Sequence, residues 1–400
     1  MFTALRAGPF RWMWAGQTLS LLGDRAQEIA LAWLVLGLGY SPLVLGSILL
    51  TATVPRAALL LVGGALTDRI SSRRVIVASN LARAALVAGL AALVIASAVQ
   101  LWQLYVIEIG FGMADAFFVP AITAIVPEIV VDDDLPAANA LMGMSEQASM
   151  TAGPALGGSL VALLGIPWAL LLNGISFAAA AAGVLPTVSK PRLVPSERRG
   201  LRREITAGVR YVRSIPGFGG IVVLLASTSL AFSGGYAVGL PALARYRFTG
   251  GAISLGVLLA AHGVGQLLGA IAAGTTGLPR RLGLLVIGYA LAAAGVFSFI
   301  GVASNLILVC LAIGVLGFIS AYADDVALPT WLQRRSERAM LGRVGSIADL
   351  ARSLPAPISF LMIGGLASMS LTAAFAAAGG VMFMAAATLA LNRSVRQLEL

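Results

Sequence analysis

Charged side chains stand where the surrounding residues are apolar. Asp24, Arg25 and Glu28 interrupt the first apolar stretch, Arg56 the second, Glu108 and Asp115 a later one; Glu146, Asp324 and Asp325 follow. Carboxylates take up and release protons, and a neighbouring arginine or burial changes how readily they do so. Asp24 and Glu28 are four residues apart, so on a helix they share a face, with Arg25 turned aside by about 100°. Glu108 and Asp115, seven apart, also lie roughly on one face. Asp24 and Glu28 exceed what one arginine needs for neutralisation, which favours a functional role. Arg25 is equally well explained as a packing charge. Glu108 reads as a water-facing acid at an outer mouth or as a cavity acid, and Asp115 should lie at mid-depth. Asp349 is expected to pair with Arg352 three residues on, and Arg83 to snorkel or to pair with Glu128 or another acid. Asp324 and Asp325 are adjacent, so one of them, taken as Asp325, should face a cavity and the other a basic residue such as Arg334, Arg335 or Arg338. His262 is the single histidine; its chemistry suits a proton relay, although a lone histidine is more often a packing residue.

What could position these groups is set by composition. Of 400 residues, 59% are hydrophobic and 11% charged, against about 25% charged in ordinary soluble domains. Apolar runs of about 20 residues recur, the length that crosses a hydrocarbon core. The backbone of such runs must satisfy its own hydrogen bonds, and strand-length alternation is absent, so helices are expected. The pattern predicts an all-α membrane protein with twelve transmembrane helices near 10–37, 43–67, 75–97, 102–128, 136–164, 167–188, 217–243, 252–276, 281–303, 305–330, 342–366 and 370–391. No cleavable leader is expected, because the first apolar run is too long. An ionised side chain at the bilayer centre costs about 2.5–3.5 kcal/mol on insertion scales, which makes the stranded acids functional hypotheses.

The net charge of +10 is concentrated in alternate turns: Arg69, Arg73, Arg74, Arg280, Arg281, Arg334, Arg335 and the arginines of 192–213 fall on one side. The positive-inside rule then places both termini in the cytoplasm, in a plasma (inner) membrane, and reads the basic patch as topology and lipid contact rather than nucleic-acid binding. Residues 189–216 form a long connection in which apolar residues recur at helical spacing among arginines, as in a helix on a membrane surface. It separates residues 1–188 from 217–400, two six-helix bundles. These look like parallel repeats: at one offset Asn139, Glu146 and Pro154 align with Gly342, Asp349 and Pro357; at another, Gly46 and Arg56 align with Gly256 and Gln266. One histidine and one cysteine cannot make an ordinary zinc site. No phosphate loop or nucleophile–base set is present, so neither an enzyme nor a cofactor is expected.

The loop Gly64-Ala65-Leu66-Thr67-Asp68-Arg69-Ile70-Ser71-Ser72-Arg73-Arg74, with Trp14-Ala15-Gly16-Gln17, Val54-Pro55-Arg56, Ala116-Phe117-Phe118-Val119-Pro120-Ala121, Leu135-Pro136-Ala137-Ala138-Asn139, Gly153-Pro154-Ala155-Leu156-Gly157-Gly158 and Leu341-Gly342-Arg343-Val344, resembles the major facilitator superfamily over nearly the whole chain. It is most similar to the drug:proton antiporter branch that holds macrolide and siderophore exporters. Ser71 and Ser72 depart from the family loop, which carries Gly then Arg there, and the fifth-helix exporter motif is partial. The resemblance implies that Asp68 caps the N-terminus of the eleventh helix and holds the cytoplasmic side shut, with Arg69 and Arg73 tying it to acids such as Glu128. A carboxylate gains from a helix N-terminus through its orphan N–H groups.

In that fold the first and second helices are neighbours, so Arg56 is expected to pair with Asp24 in one state, a pair that would bind and release a proton as it forms and breaks. Phe117, Phe118, Tyr236, Tyr322 and Trp331 are expected contributors to an aromatic lining, and Gly153-x-x-x-Gly157 to close helix packing. The expected activity is proton-coupled antiport of hydrophobic or cationic small molecules by alternating access, by a monomer whose partners are substrate, protons and lipids. Lysolipid or lipid flipping, kept open by Arg56 as a headgroup contact, siderophore export, solute symport and a non-transporting sensor are the alternatives.

Overall fold

The computed structural model describes residues 2–6, 8–187, 210–211, 214–337 and 340–399, without the side chains of residues 2–3, 60–69 and 342–343. The described chain is built of helices: α1 (Gly8–Gly37), α2 (Pro42–Arg69), α3 (Ser72–Ile95), α4 (Leu101–Ile129), α5 (Leu135–Leu164), α6 (Ile166–Val184), α7 (Phe218–Arg247), α8 (Gly251–Thr276), α9 (Leu282–Val302), α10 (Leu306–Arg335), α11 in two pieces (Leu341–Ser353 and Ala356–Met369), and α12 (Leu371–Leu391). The helices lie within one to two turns of their expected positions. Ten are long and apolar enough to cross a membrane among the described residues; α1 and α5, each of 30 residues, carry more polar residues and fall outside that group. Large apolar side chains such as Leu163, Ile175, Leu311 and Phe383 point outward, as suits a surface against lipid. The surface-helix reading of 189–216 falls almost wholly outside the described residues; Tyr211, which is described, accepts the Glu337 N–H at 2.9 Å.

Helix ends follow local chemistry. Asn305 caps α10 by accepting from the N–H groups of Ile307 and Leu308, and Gln100 starts α4 through a reciprocal box with Gln103. The turn between α5 and α6 is made by Gly165 at φ +87°, a region open to glycine at little cost.

Two compact units are present. One comprises residues 1–39, 47–195 and 250–256; the other 40–46, 196–249 and 257–400. In the first, α1 packs on α5 and α6, and α3 on α4 and α6. In the second, α9 packs on α12, and α7 on α11 and α12. Close approach of α1 to α5 depends on Gly157: a Cβ there would lie 2.6 Å from Ala26 Cα. Gly153 likewise abuts the Arg25 side chain, so the Gly-x-x-x-Gly pair fixes the stretch of α1 that carries Asp24, Arg25 and Glu28. Two π segments interrupt the second unit, Gly235–Gly239 in α7 and Ala321–Ala327 in α10. Such segments are frequent at functional sites, and no local residue pattern announced them.

Candidate functional site

The first unit gathers charge around Asp115. Gly112, one turn earlier on α4, lets that helix close on Ala52 of α2. Asp115 and Arg56, three and four residues beyond these contacts, are thereby brought together, with Arg56 Nη1 3.9 Å from Asp115 Oδ2. The Arg56–Asp24 pair expected in one state is not formed here; Arg56 meets Asp115 instead, where α4 closes on α2 at Gly112. Arg83 of α3 donates from Nη1 to the other oxygen, Asp115 Oδ1, at 3.2 Å, and from Nη2 to Asn80 Oδ1 at 2.6 Å. Its guanidinium lies 4.0 Å from the ring centre of Phe118 and 4.6 Å from that of Phe177. Arg83 is therefore a buried cation held by one acid, one amide and two rings: of the expected arrangements, the pairing with another acid is the one formed, with Asp115 rather than Glu128.

Glu108 is buried and makes no hydrogen bond or ion pair among the described residues, contrary to a water-facing place at an outer mouth. The reason is its position four residues before Gly112, on the face of α4 that packs against α2. On α1, Arg25 Nη1 holds both carboxylate oxygens of Glu28, at 2.7 and 3.0 Å. Glu28 is exposed; Asp24 is half-buried and forms no ion pair among the described residues. Glu146 on α5 is exposed, within the electrostatic reach of Arg25.

Of the loop residues implied as a gate, the side chains of Asp68 and Arg69 lie outside the described residues. Arg73 is half-buried and Glu128 accepts from Ser72 Oγ at 2.8 Å. Among the described residues Arg73 forms no ion pair with Glu128; the hydroxyl of Ser72 at the start of α3 bonds the acid.

The second unit holds another pair. Arg352 of α11 grips Asp324 with two parallel contacts, Nη1–Oδ2 at 2.8 Å and Nη2–Oδ1 at 3.0 Å, and bonds the Asp324 carbonyl at 3.2 Å. Asp349, three residues away on the same helix, is exposed and is not its partner. Asp324 is buried, Asp325 exposed, and both border a cavity of about 210 Å³ together with Ser229, Phe232, His262 and Tyr289. Adjacent residues were expected to diverge, one towards a cavity and one towards Arg334 or Arg335; the π segment that contains both changes the helical register there, and Arg352 takes the place of the basic turn. The His262 ring meets Tyr236 edge-on, centroids 4.6 Å apart, and its Nε2 is buried without a partner among the described residues. Among the expected aromatic lining, Phe118 serves Arg83, Tyr236 serves His262, and Tyr322 donates to the Gly277 carbonyl at 2.7 Å. Trp331 is fully buried in the core, a correction to its reading as lining.

Solved structures share this arrangement of helices. A nucleoside transporter, NupG, in a mutant form, aligns with a TM-score of 0.72 at 10% identity, covering 96% of this chain and all (100%) of that one. A bacterial homologue of the human lysosomal transporter Spinster, inward-facing and unoccupied, gives 0.69 at 16% identity, covering 98% and 96%. A mutant peptide transporter of the POT family gives 0.75 at 13% identity, covering 98% and 95%. The fold is thus that of a multi-pass major facilitator transporter. More narrowly, the chain belongs to the transmembrane secretion effector family, whose model matches residues 1–399. Similar proteins include the enterobactin exporter EntS of Escherichia coli O1:K1 / APEC, 30% identical over 331 residues, covering 80% of this chain and 76% of that protein. EntS of Shigella boydii serotype 18 (strain CDC 3083-94 / BS512) matches at the same identity and coverage.

Proposed function

We propose that the protein is a proton-coupled exporter of hydrophobic, cationic small molecules, working by alternating access. In this reading α1 and α5 join the ten apolar helices to make twelve spans, as two six-helix bundles, 1–188 and 217–400, joined by the basic linker 189–216. It acts as a monomer in the inner membrane with both termini cytoplasmic, and lipids meet its apolar outer face. The observation that carries it is Asp115, shared between a buried arginine and a half-exposed one. Such an acid can exchange one partner for a proton while the other partner stays. Glu108 and Asp24, without ion pairs among the described residues, are the acids whose charge would follow water or cargo, because an unpaired buried charge is costly. Asp24, Glu28, Glu108, Asp115 and Glu146 outnumber Arg25, Arg56 and Arg83, which suits cations over anions. Asp325 adds an acid to the second unit, and His262 is a relay in reserve. Asp68, Arg69, Arg73 and Glu128 keep the gating role that the resemblance implies, with the Ser72–Glu128 bond tying the loop to α4.

Everted vesicles supplied from outside with ethidium or a panel of dyes test the reading. Uptake should require the proton gradient and be lost in Asp115→Asn. Uptake indifferent to a protonophore would overturn proton coupling. Siderophore export is a second reading, favoured by the enterobactin exporters among the relatives; it predicts that loss of the protein lowers secreted iron chelator in its host.

A further inference from the structure

We infer that the second unit carries its own ligand subsite: the cavity bordered by Ser229, Phe232, His262, Tyr289 and Asp325 takes a compact aromatic ammonium group, either a small amine cargo or one arm of a larger one. The inference rests on the export reading above and deepens it by naming what part of a cargo is recognised and where.

The polar atoms come first. Ser229 Oγ and His262 Nε2 are both buried and have no partner among the described residues. Buried polar atoms in folded proteins are nearly always bonded, so two unpartnered atoms from α7 and α8 at one cavity are groups awaiting a ligand or water.

Charge decides the sign. Asp324 is saturated by the two-pronged grip of Arg352. Asp325, the next residue, borders the same cavity and makes no ion pair among the described residues. One acid is therefore left uncompensated. Arg352 also lines the cavity, but it is one cation against two carboxylates, so an anionic ligand would sit beside a net negative rim while a cation meets the available Asp325.

Shape and size decide the rest. Phe232 is held as a wall by Tyr236, stacked at 5.5 Å and 5°, and by Phe297, edge-on at 4.9 Å and 89°. A fixed ring beside a carboxylate is a favourable place for an ammonium carried on an aromatic group. The volume, about 210 Å³, is below the range of about 300–1,000 Å³ that holds drug-sized ligands. It suits a single ring with a short amine chain. Both acids lie on the π segment of α10 and line the cavity, so the site is built into the helix rather than assembled from a loop.

His262 supplies the test, because it is the chain's only histidine. The full-length protein, purified without a histidine tag and placed in lipid nanodiscs, is labelled with ¹³C in the histidine ring, giving one reporter signal. Three probes of similar size are titrated: 2-phenylethylammonium, 2-phenylethanol and 3-phenylpropanoate. The ammonium should shift the signal saturably, with a half-saturation roughly tenfold lower than the alcohol's, about 1.4 kcal/mol. The carboxylate should leave the signal in place. Asp325→Asn should keep the unliganded signal, showing an intact fold, and bring the ammonium to the alcohol's level; Phe232→Leu should weaken both. Equal response to all three probes, preference for the carboxylate, or ammonium binding untouched by Asp325→Asn overturns the assignment. If no probe moves the signal while gradient-driven efflux persists, the subsite fails and the export reading stands. If the ammonium binds as stated and no gradient-driven efflux is found, the subsite stands and the export reading fails.

Discussion

The two units hold the same chemical pair turned inside out. In the first, Arg83 is the hidden member, its side chain 4% exposed, and Asp115 is the accessible one at 30%. In the second, Asp324 is hidden at 6% and Arg352 is accessible at 35%. Bonding differs in the same direction. Asp115 has one 3.2 Å contact to Arg83 and a loose 3.9 Å approach from Arg56, whereas Asp324 is gripped by two short parallel bonds. The first unit thus offers an acid that can change partner. The second locks its acid and leaves the neighbouring Asp325 available instead. On the proposed reading, proton exchange belongs to the first unit and ligand recognition to the second, although both are made of aspartate and arginine.

Removing each acid separates the two most strongly. Asp115→Ala strands Arg83 in the interior, and losing one partner of a buried pair costs about 3–5 kcal/mol. The thermal midpoint of the detergent-solubilised protein should fall sharply, and replacing both members with leucine should restore most of it. Asp324→Ala strands a cation that water already reaches, so its loss should be smaller, about 1–3 kcal/mol; an equal or larger loss would break the comparison. Gly157→Leu tests the frame that holds the α1 charges: overpacking against Ala26 should cost about 1–3 kcal/mol, with export falling alongside stability. Arg56→Gln should have the least effect on the midpoint, about 0–1 kcal/mol for an exposed, loose pair. A large loss of gradient-driven export in that variant at unchanged stability would mark Arg56 as the exchanging partner; normal export would remove it from the coupling device.

Helix positions were readable because long apolar runs admit little else in lipid. The stranded charges were readable as well, since each interrupts such a run. Their pairings were not. Sequence spacing favoured Arg352 with Asp349, yet tertiary packing gave it Asp324 on another helix. Neighbouring helices suggested Arg56 with Asp24, but the approach of α4 at Gly112 gave it Asp115. Arg83 read as a structural cation, and nothing local announced the Phe118 and Phe177 rings or Asn80 around it. Glu108 read equally as an outer-mouth acid or a cavity acid, because position along α4 gives depth but not which face is buried; the structure buries it. The π segments shift residues about their helix axes in a way that a fixed 3.6-residue period does not foresee.

The central claim is that Asp115 exchanges its proton as cargo crosses. The most direct measurement reconstitutes the full chain in proteoliposomes and follows lumenal pH with a trapped dye while a transported cation is added, in wild type and in Asp115→Asn. The account predicts a cargo-dependent proton flux in wild type that disappears in the variant, with cargo exchange down its own gradient retained. A proton flux of equal size in Asp115→Asn would contradict it.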